Sequence, residues 1–314
     1  MPELDNLREF AGLRVAEFTA ESTPDDLPQG GSPAWAVRLG SWDDEADFGE
    51  VFARFLDWVD TGQVTALVIG YWGMCHEVNS SVPRDLLIEA AGRFPGLRAL
   101  FFGDIAPEES EISWIEHCDL TGLLEAYPLL EQVEIRGGSG LELAPPRSEH
   151  LRVLRLESGG LPSSVVRAVA AGDLPNLERL DLWLGVEEYG GDATVADLAP
   201  LLGGERLPAL RHLGLEDSEI VDEIAVAVAA APVVARLETL SLALGVLTDE
   251  GAEALLSGQP LTHLQRLDLH HHFLTDAMVE RVRKALPGVE VDLSEQELPD
   301  EDDGDVWRYV AVAE

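Results

Sequence analysis

Leucines return along this chain in a fixed phrase, Leu-x-x-Leu-x-Leu, with mostly polar residues between them. The clear copies are Leu177–Leu182, Leu210–Leu215, Leu237–Leu242 and Leu264–Leu269. The last three begin 27 residues apart, and each first leucine is followed 12 residues later by an acid: Asp222, Asp249 and Asp276. Weaker copies begin at Val64, Leu97, Leu130 and Leu151, and a ninth strand is expected at Val289–Leu293. Alternation within each phrase is the signature of a short strand, whose successive side chains point to opposite faces. A repeat of this length means a solenoid, because one unit cannot bury its apolar face without a neighbour.

Helical periodicity fills most of the gaps: Arg84–Phe94, Leu120–Tyr127, Ser163–Ala171, Ala193–Leu202, Asp222–Ala230, Asp249–Leu256 and Asp276–Leu286. Asp222, Asp249 and Asp276 are expected to cap their own helices, since a carboxylate can accept from first-turn N–H groups. Gly258 and Gly288 stand where left-handed helix ends are expected. One gap is short. Between Leu130 and Leu151 only 21 residues are available, with Gly137-Gly-Ser-Gly140 and Pro145-Pro146 among them. A loop, with a short extra strand at Leu141–Leu143, is expected there instead of a helix.

Residues 1–63 depart from the repeat and read as an N-terminal capping segment. It holds two strands, Leu13–Phe18 and Trp35–Leu39, and an amphipathic helix over Asp43–Val59. Asp43, Asp44, Glu45 and Asp47 sit at that helix's start, where they favour its dipole. The repeat region spans 64–294. Residues 295–314 form an acidic linker, with seven acids and no base from Glu295 to Asp305, then a closing strand, Trp307–Val312, expected to cap the last repeat.

Charge narrows the partners. There are 59 acids against 21 bases, a net charge of −38. Such a field repels nucleic acid and anionic lipid and favours a basic protein. No apolar run is long enough to span a bilayer, and no leader pattern opens the chain, so a cytoplasmic protein is expected. The two cysteines, Cys75 and Cys118, lack metal-ligand spacing and are expected to be reduced thiols.

The strand phrase, the helix in most repeats and the 27-residue spacing resemble the ribonuclease-inhibitor-like class of leucine-rich repeats, over roughly residues 64–294. That resemblance implies an α/β horseshoe, with parallel strands on a concave face and helices on the convex one. The asparagine usual after the strand is replaced by Ser218, Gly245 and His272, which suggests a looser turn there. Tyr71-Trp-Gly73 and the closing Arg-Tyr-Val-Ala-Val also look like a bacterial cytosolic leucine-rich-repeat family with no assigned activity. Members of that family are sometimes encoded near radical-SAM and ATP-grasp-like proteins, which hints at partners only.

With leucines inward, three rows face the concave side. One is Ala66, Ala99, Gln132, Val153, Arg179, His212, Thr239, Arg266; the next is Val68, Phe101, Glu134, Arg155, Asp181, Gly214, Ser241, Asp268; the third is Gly70, Gly103, Arg136, Glu157, Trp183, Glu216, Ala243, His270. Trp and Arg most often carry interface energy. Partner binding is therefore expected at Arg155, Arg179, Asp181, Trp183, His212, Arg266, Asp268 and His270. The opposing view is that opposite charges on neighbouring strands only neutralise one another. Val68 and Phe101 either lie beneath the capping segment or form an apolar anchor.

His270-His271-His272 is read as a surface turn, with His270 on the concave face. A zinc site would need further ligands such as Asp268 or Glu216. Cys75 beside His76 has no third orienting group and is not read as a nucleophile. No phosphate loop or nucleophile elbow occurs. The expected function is a non-catalytic protein-interaction scaffold, with no cofactor, no metal, no nucleic acid and no membrane. The alternative is an accessory or maturation enzyme using a metal or acid/base site near the C-terminal repeats.

Overall fold

The computed structural model describes residues 4–28, 31–40, 46–302 and 305–314. The expected acids Asp43, Asp44 and Glu45 lie outside the described residues. In chain order the elements are β1 (Glu9–Phe10), β2 (Leu13–Phe18), β3 (Ala34–Val37), α1 (Phe48–Trp58), β4 (Ala66–Gly70), α2 (Ser81–Glu89), β5 (Ala99–Asp104), α3 (Thr121–Ala126), β6 (Gln132–Arg136) and β7 (Val153–Glu157). There follow α4 (Ser163–Ala170), β8 (Arg179–Gly185), α5 (Val195–Gly203), β9 (His212–Ser218), α6 (Val221–Val228), β10 (Thr239–Ser241), α7 (Asp249–Ser257), β11 (Arg266–Asp268), α8 (Asp276–Ala285), β12 (Glu290–Asp292), β13 (Asp300–Asp302) and β14 (Asp305–Trp307).

Twelve strands form one mixed α/β sheet in strict sequence order, β1 to β12. Only β1 and β2 pair antiparallel; every later pair is parallel. The ladder thus crosses residue 63 without a break: β3 pairs β4 as β4 pairs β5. Strand leucines and helix side chains share one apolar core along the length of the sheet, among them Leu100, Leu154, Leu182, Leu213 and Leu240 with Leu87, Val166, Leu198, Ile224 and Val279. No helix lies between β6 and β7, and Glu142 makes only an isolated bridge to Asp119 where a short strand was expected.

The repeated acids do something other than cap their own helices. Asp222 accepts from Thr248 N–H at 2.9 Å and from its hydroxyl. Asp249 accepts from Thr275 N–H at 2.9 Å and its hydroxyl at 2.8 Å. Asp276 accepts from Gln296 Nε2 at 3.1 Å. Each acid thus ties its helix start to the next unit, while Thr248 and Thr275 cap α7 and α8. Asp47 does cap α1, accepting from Glu50 N–H at 3.2 Å. Gly258 is not left-handed, at φ −84°. A Cβ there would lie 2.5 Å from Ala229 O, so glycine permits close approach of successive units.

The strand ends hold a feature no residue type announces. Asp217, Leu244 and His271 stand 27 residues apart and share left-handed φ values of 51°, 67° and 56°. The next residues turn inward. Ser218 Oγ accepts from Ile220 N–H at 3.2 Å, and His272 Nδ1 accepts from Leu274 N–H at 3.2 Å. Both are buried, and so is His271, whose ring meets Phe273 edge-on at 5.9 Å. The expectation of a surface histidine turn is corrected for His271 and His272. The turn is held by these side chains in place of an asparagine.

Candidate functional site

The parallel register delivers the first two rows as counted; in the third, a bulge after Ile69 sets Gly70 opposite Asp104 and not Gly103. Gln132, Val153, Arg179, His212, Thr239 and Arg266 pair across successive strands, and so do Glu134, Arg155, Asp181, Gly214, Ser241 and Asp268. The ladder extends each row to β12, adding Glu290 and Asp292. Sequence reading missed these two because it stopped the rows at β11; alternation with Val291 and Leu293 turned inward would have found them.

The face turned from the helices divides in two. Over β3–β5 it is apolar: Ala34, Ala36, Ala66, Val68, Ala99 and Phe101 form a separate small core with Phe10, Leu7, Leu13 and Val15. Phe10 meets Phe101 edge-on at 5.9 Å. Val68 and Phe101 are therefore covered by the N-terminal segment. Leu7 N–H donates to the buried Asp104 carboxylate at 3.1 Å, and Asp104 accepts from Arg38 Nη2 at 2.6 Å. Arg136 closes the margin of this region. It bonds Glu157 at 2.7 Å and Leu4 O at 3.1 Å, with its guanidinium 5.4 Å over Phe101.

Beyond β5 the face is polar, and the eight candidate residues fall into two groups. The first holds Arg155, Arg179, Asp181, Trp183 and His212. Arg179 Nε donates to Asp181 Oδ2 at 2.6 Å, and His212 Nε2 meets Asp181 Oδ1 at 2.6 Å. His212 Nδ1 contacts Thr239 Oγ1 at 2.5 Å. Arg155 lies 2.7 Å from Glu157 and 5.3 Å over the Trp183 ring. Burial raises the Asp181 carboxyl, but His212 and Arg179 outweigh it and hold the group below the usual range. Burial and the neighbouring Asp181 charge push Glu216 up. Trp183 is only 2% exposed and Asp181 0%. The expectation that Trp183 presents its indole outward is corrected: Nε1–H donates to Glu216 at 2.8 Å, beneath Arg155.

The second group holds Arg266, Asp268 and His270 with Asp292. Arg266 Nη2 donates to Asp268 at 2.8 Å and Asp292 at 2.9 Å, and Nη1 to Glu290 at 2.9 Å. His270 Nδ1 meets Asp268 Oδ1 at 2.7 Å. Partial burial opposes Asp268 ionisation, but the His270 and Arg266 bonds win and bring its pKa to about 2. Asp268 in turn raises His270. Ligand atoms of Asp268, His270 and Asp292 lie within 4.8 Å of one another, a spacing a metal ion could use. A divalent ion there would have to displace the Arg266 guanidinium from both carboxylates. Asp181 and Asp268 are three strands apart, about 14 Å at sheet spacing, so they form no acid/base couple.

A strap missed from sequence closes the strand ends. Beyond β13 and β14, which pair antiparallel, the chain runs back across the solenoid. Ala311 N–H donates to Leu244 O at 2.8 Å and Val312 N–H to Asp217 at 3.0 Å. Ser113 Oγ donates to Ala313 O at 2.5 Å, and Tyr189 bonds Glu314. A Cβ at Gly159 would lie 2.2 Å from Ala313 O, so only glycine admits the strap here. The closing segment therefore lies across middle units and not as an edge strand beside β12.

Among the described residues no helix is long and apolar enough to cross a membrane. No family model and no curated protein matches the chain. Among solved structures, the crystal structure of a Bacteroides fragilis protein superimposes with a TM-score of 0.75 and 35% identity. The match covers 79% of this chain and 70% of that one.

Proposed function

The chain belongs to the same family as that Bacteroides fragilis protein, and we propose that it is a leucine-rich-repeat horseshoe acting as a non-catalytic, cytoplasmic interaction scaffold. Its concave, helix-free face takes a partner protein. The observation that carries this reading is the alignment of Arg179, His212, Arg266 and His270 along one open stretch of sheet. Arg179 and Arg266 side chains remain 44% and 39% exposed although both are ion-paired. A pre-paired, rigid charge pattern loses little entropy on binding and discriminates by complementarity. The net charge of −38 supports a basic partner. Arg155, Asp181 and Trp183 hold this pattern from below.

The test is affinity capture from native cell lysate. Wild type is compared with Arg179→Ala/Arg266→Ala and with the helix-surface control Arg281→Ala/Arg283→Ala. A protein retained by wild type and the control but lost by the face variant supports the scaffold. Equal retention by all three sinks it. A second reading, an acid/base or metal site, draws on the Asp268–His270 pair. It requires stoichiometric metal by equilibrium dialysis, or a turnover, that His270→Ala abolishes.

A further inference from the structure

Large apolar side chains exposed on this protein are not evenly spread. Of 11 such residues, four fall within twelve positions: Leu298, Val306, Trp307 and Tyr309. All four sit in or beside the β13–β14 hairpin. Asp300 stands opposite Trp307 in its antiparallel register. Trp307 and Asp300 therefore share one side of the hairpin, with Leu298 two residues before β13 and Tyr309 two residues after β14. Leu298, Tyr309 and Trp307 are 82%, 60% and 53% exposed.

Around them acids outnumber bases. Glu297, Asp300 and Glu301 are exposed, and no base occurs from Glu295 to Asp305. The nearest base, Arg308, has its guanidinium 6.0 Å over the Phe273 ring. Among the described residues the two-stranded sheet gains no third strand, and a sheet edge of this kind is a template for a further one. Exposed aromatics, an open edge and unbalanced acid favour a strand that brings cations and apolar side chains together.

We propose that the β13–β14 hairpin is a second docking surface, taking a basic, strand-forming segment of a partner protein whose apolar side chains seat on Leu298, Trp307 and Tyr309. It stands independently of the open-face reading, because neither Arg179 nor Arg266 belongs to it. Alternation puts the segment's leucines on the Trp307 side and its arginines on the opposite side, where Glu301 stands. An acidic segment or an anionic membrane is repelled by the same field.

The test titrates the full chain with a synthetic peptide alternating arginine and leucine, followed by fluorescence anisotropy of a label on the peptide. The comparison peptides alternate arginine with serine and glutamate with leucine. Wild type binds the arginine–leucine peptide more tightly than either. Trp307→Ala/Tyr309→Ala weakens that binding by about tenfold or more, whereas Arg179→Ala/Arg266→Ala leaves it unchanged. Hydrogen exchange slows at 298–309 on binding, and unchanged thermal unfolding shows that the hairpin variant remains folded. Equal affinity for the hairpin variant, or equal affinity for the arginine–serine peptide, reduces the interaction to bulk charge and overturns the proposal. So does no binding by wild type. Loss of binding in the face variant alone would move the site to the open face.

Discussion

The helix-free face of this sheet is built twice from one backbone. Over β3–β5 its rows carry Ala, Val and Phe, and the chain's own N-terminal segment covers them. Over β6–β12 the same rows carry mostly Arg, Asp, Glu and His, paired with one another, buried at Arg136, Glu157 and Asp181 and exposed at Arg179 and Arg266. Strand spacing and register are shared, so backbone geometry does not set the difference. Apolar rows gain by leaving water and must be covered. Charged rows would lose hydration if covered, so they neutralise sideways, and the outer guanidiniums of Arg179 and Arg266 stay wet. Arg136 stands where the two regimes meet, with ion pairs on one side and Phe101 and Leu4 on the other.

The largest effect should come from breaking the covered region. Phe101→Ala removes a fully buried ring, and unfolding in urea should show a loss of about 3–5 kcal/mol. Ser241→Ala, a buried hydroxyl in the same row of the polar region, should cost about 1 kcal/mol. Equal losses would refute the division. At the boundary, Arg136→Ala leaves the buried Glu157 carboxylate with Arg155 alone and frees Leu4; a loss of about 3 kcal/mol is expected, with faster hydrogen exchange at Leu7.

The strap carries a pH signature. Asp217 is buried with one oxygen unpartnered, and burial holds its carboxyl well above the ordinary range. A raised folded value means stability that is full below the ordinary carboxyl pKa and is lost as pH rises through the raised one. Asp217→Asn keeps an acceptor for Val312 N–H and removes the ionisation. Its thermal midpoint should gain on wild type as pH rises from acid to neutral; a difference constant with pH would contradict this.

Smaller effects sharpen the picture. Asp249→Ala breaks one inter-unit tie to Thr275 and should cost about 1 kcal/mol, seen as local exchange at the α8 start. Arg179→Ala should change stability by about 0.5–1 kcal/mol, because its guanidinium is 44% exposed and the buried Asp181 keeps His212. Its larger effect, if the scaffold reading holds, appears in binding. Under native conditions alkylation should reach Cys118 and spare Cys75, which is buried with a thiol pKa pushed up to about 12. Equal labelling would show that the first units open readily.

Nine strands, seven helices, the helix-less gap after β6 and the membership of the first two rows were legible from spacing. Period-2 alternation and a constant repeat leave little freedom in which side chains share a face. Exposure within the rows was not legible. Trp183 and Arg179 occupy neighbouring positions on one strand, yet the indole is buried and the guanidinium half-exposed, because Arg155 of the next strand lies over the ring. The Asp–Thr pairs were visible as a repeated spacing, but their direction was not. A carboxylate beside a helix start can cap its own helix or tie the next unit, and only the stacking distance chooses.

What the chain's sequence determined alone is therefore local and periodic: strand, helix, repeat and row, each specified by contacts between residues near in sequence or one unit apart. What tertiary structure decided is how the rows are closed. The N-terminal segment reaches Asp104 and Arg136 about a hundred residues away, and the strap joins Val312 to Asp217. The left-handed positions at Asp217, Leu244 and His271 belong to the same class, since no glycine marks them. Such contacts carry no period, because each is made once, between segments whose meeting depends on the stacked solenoid already being in place.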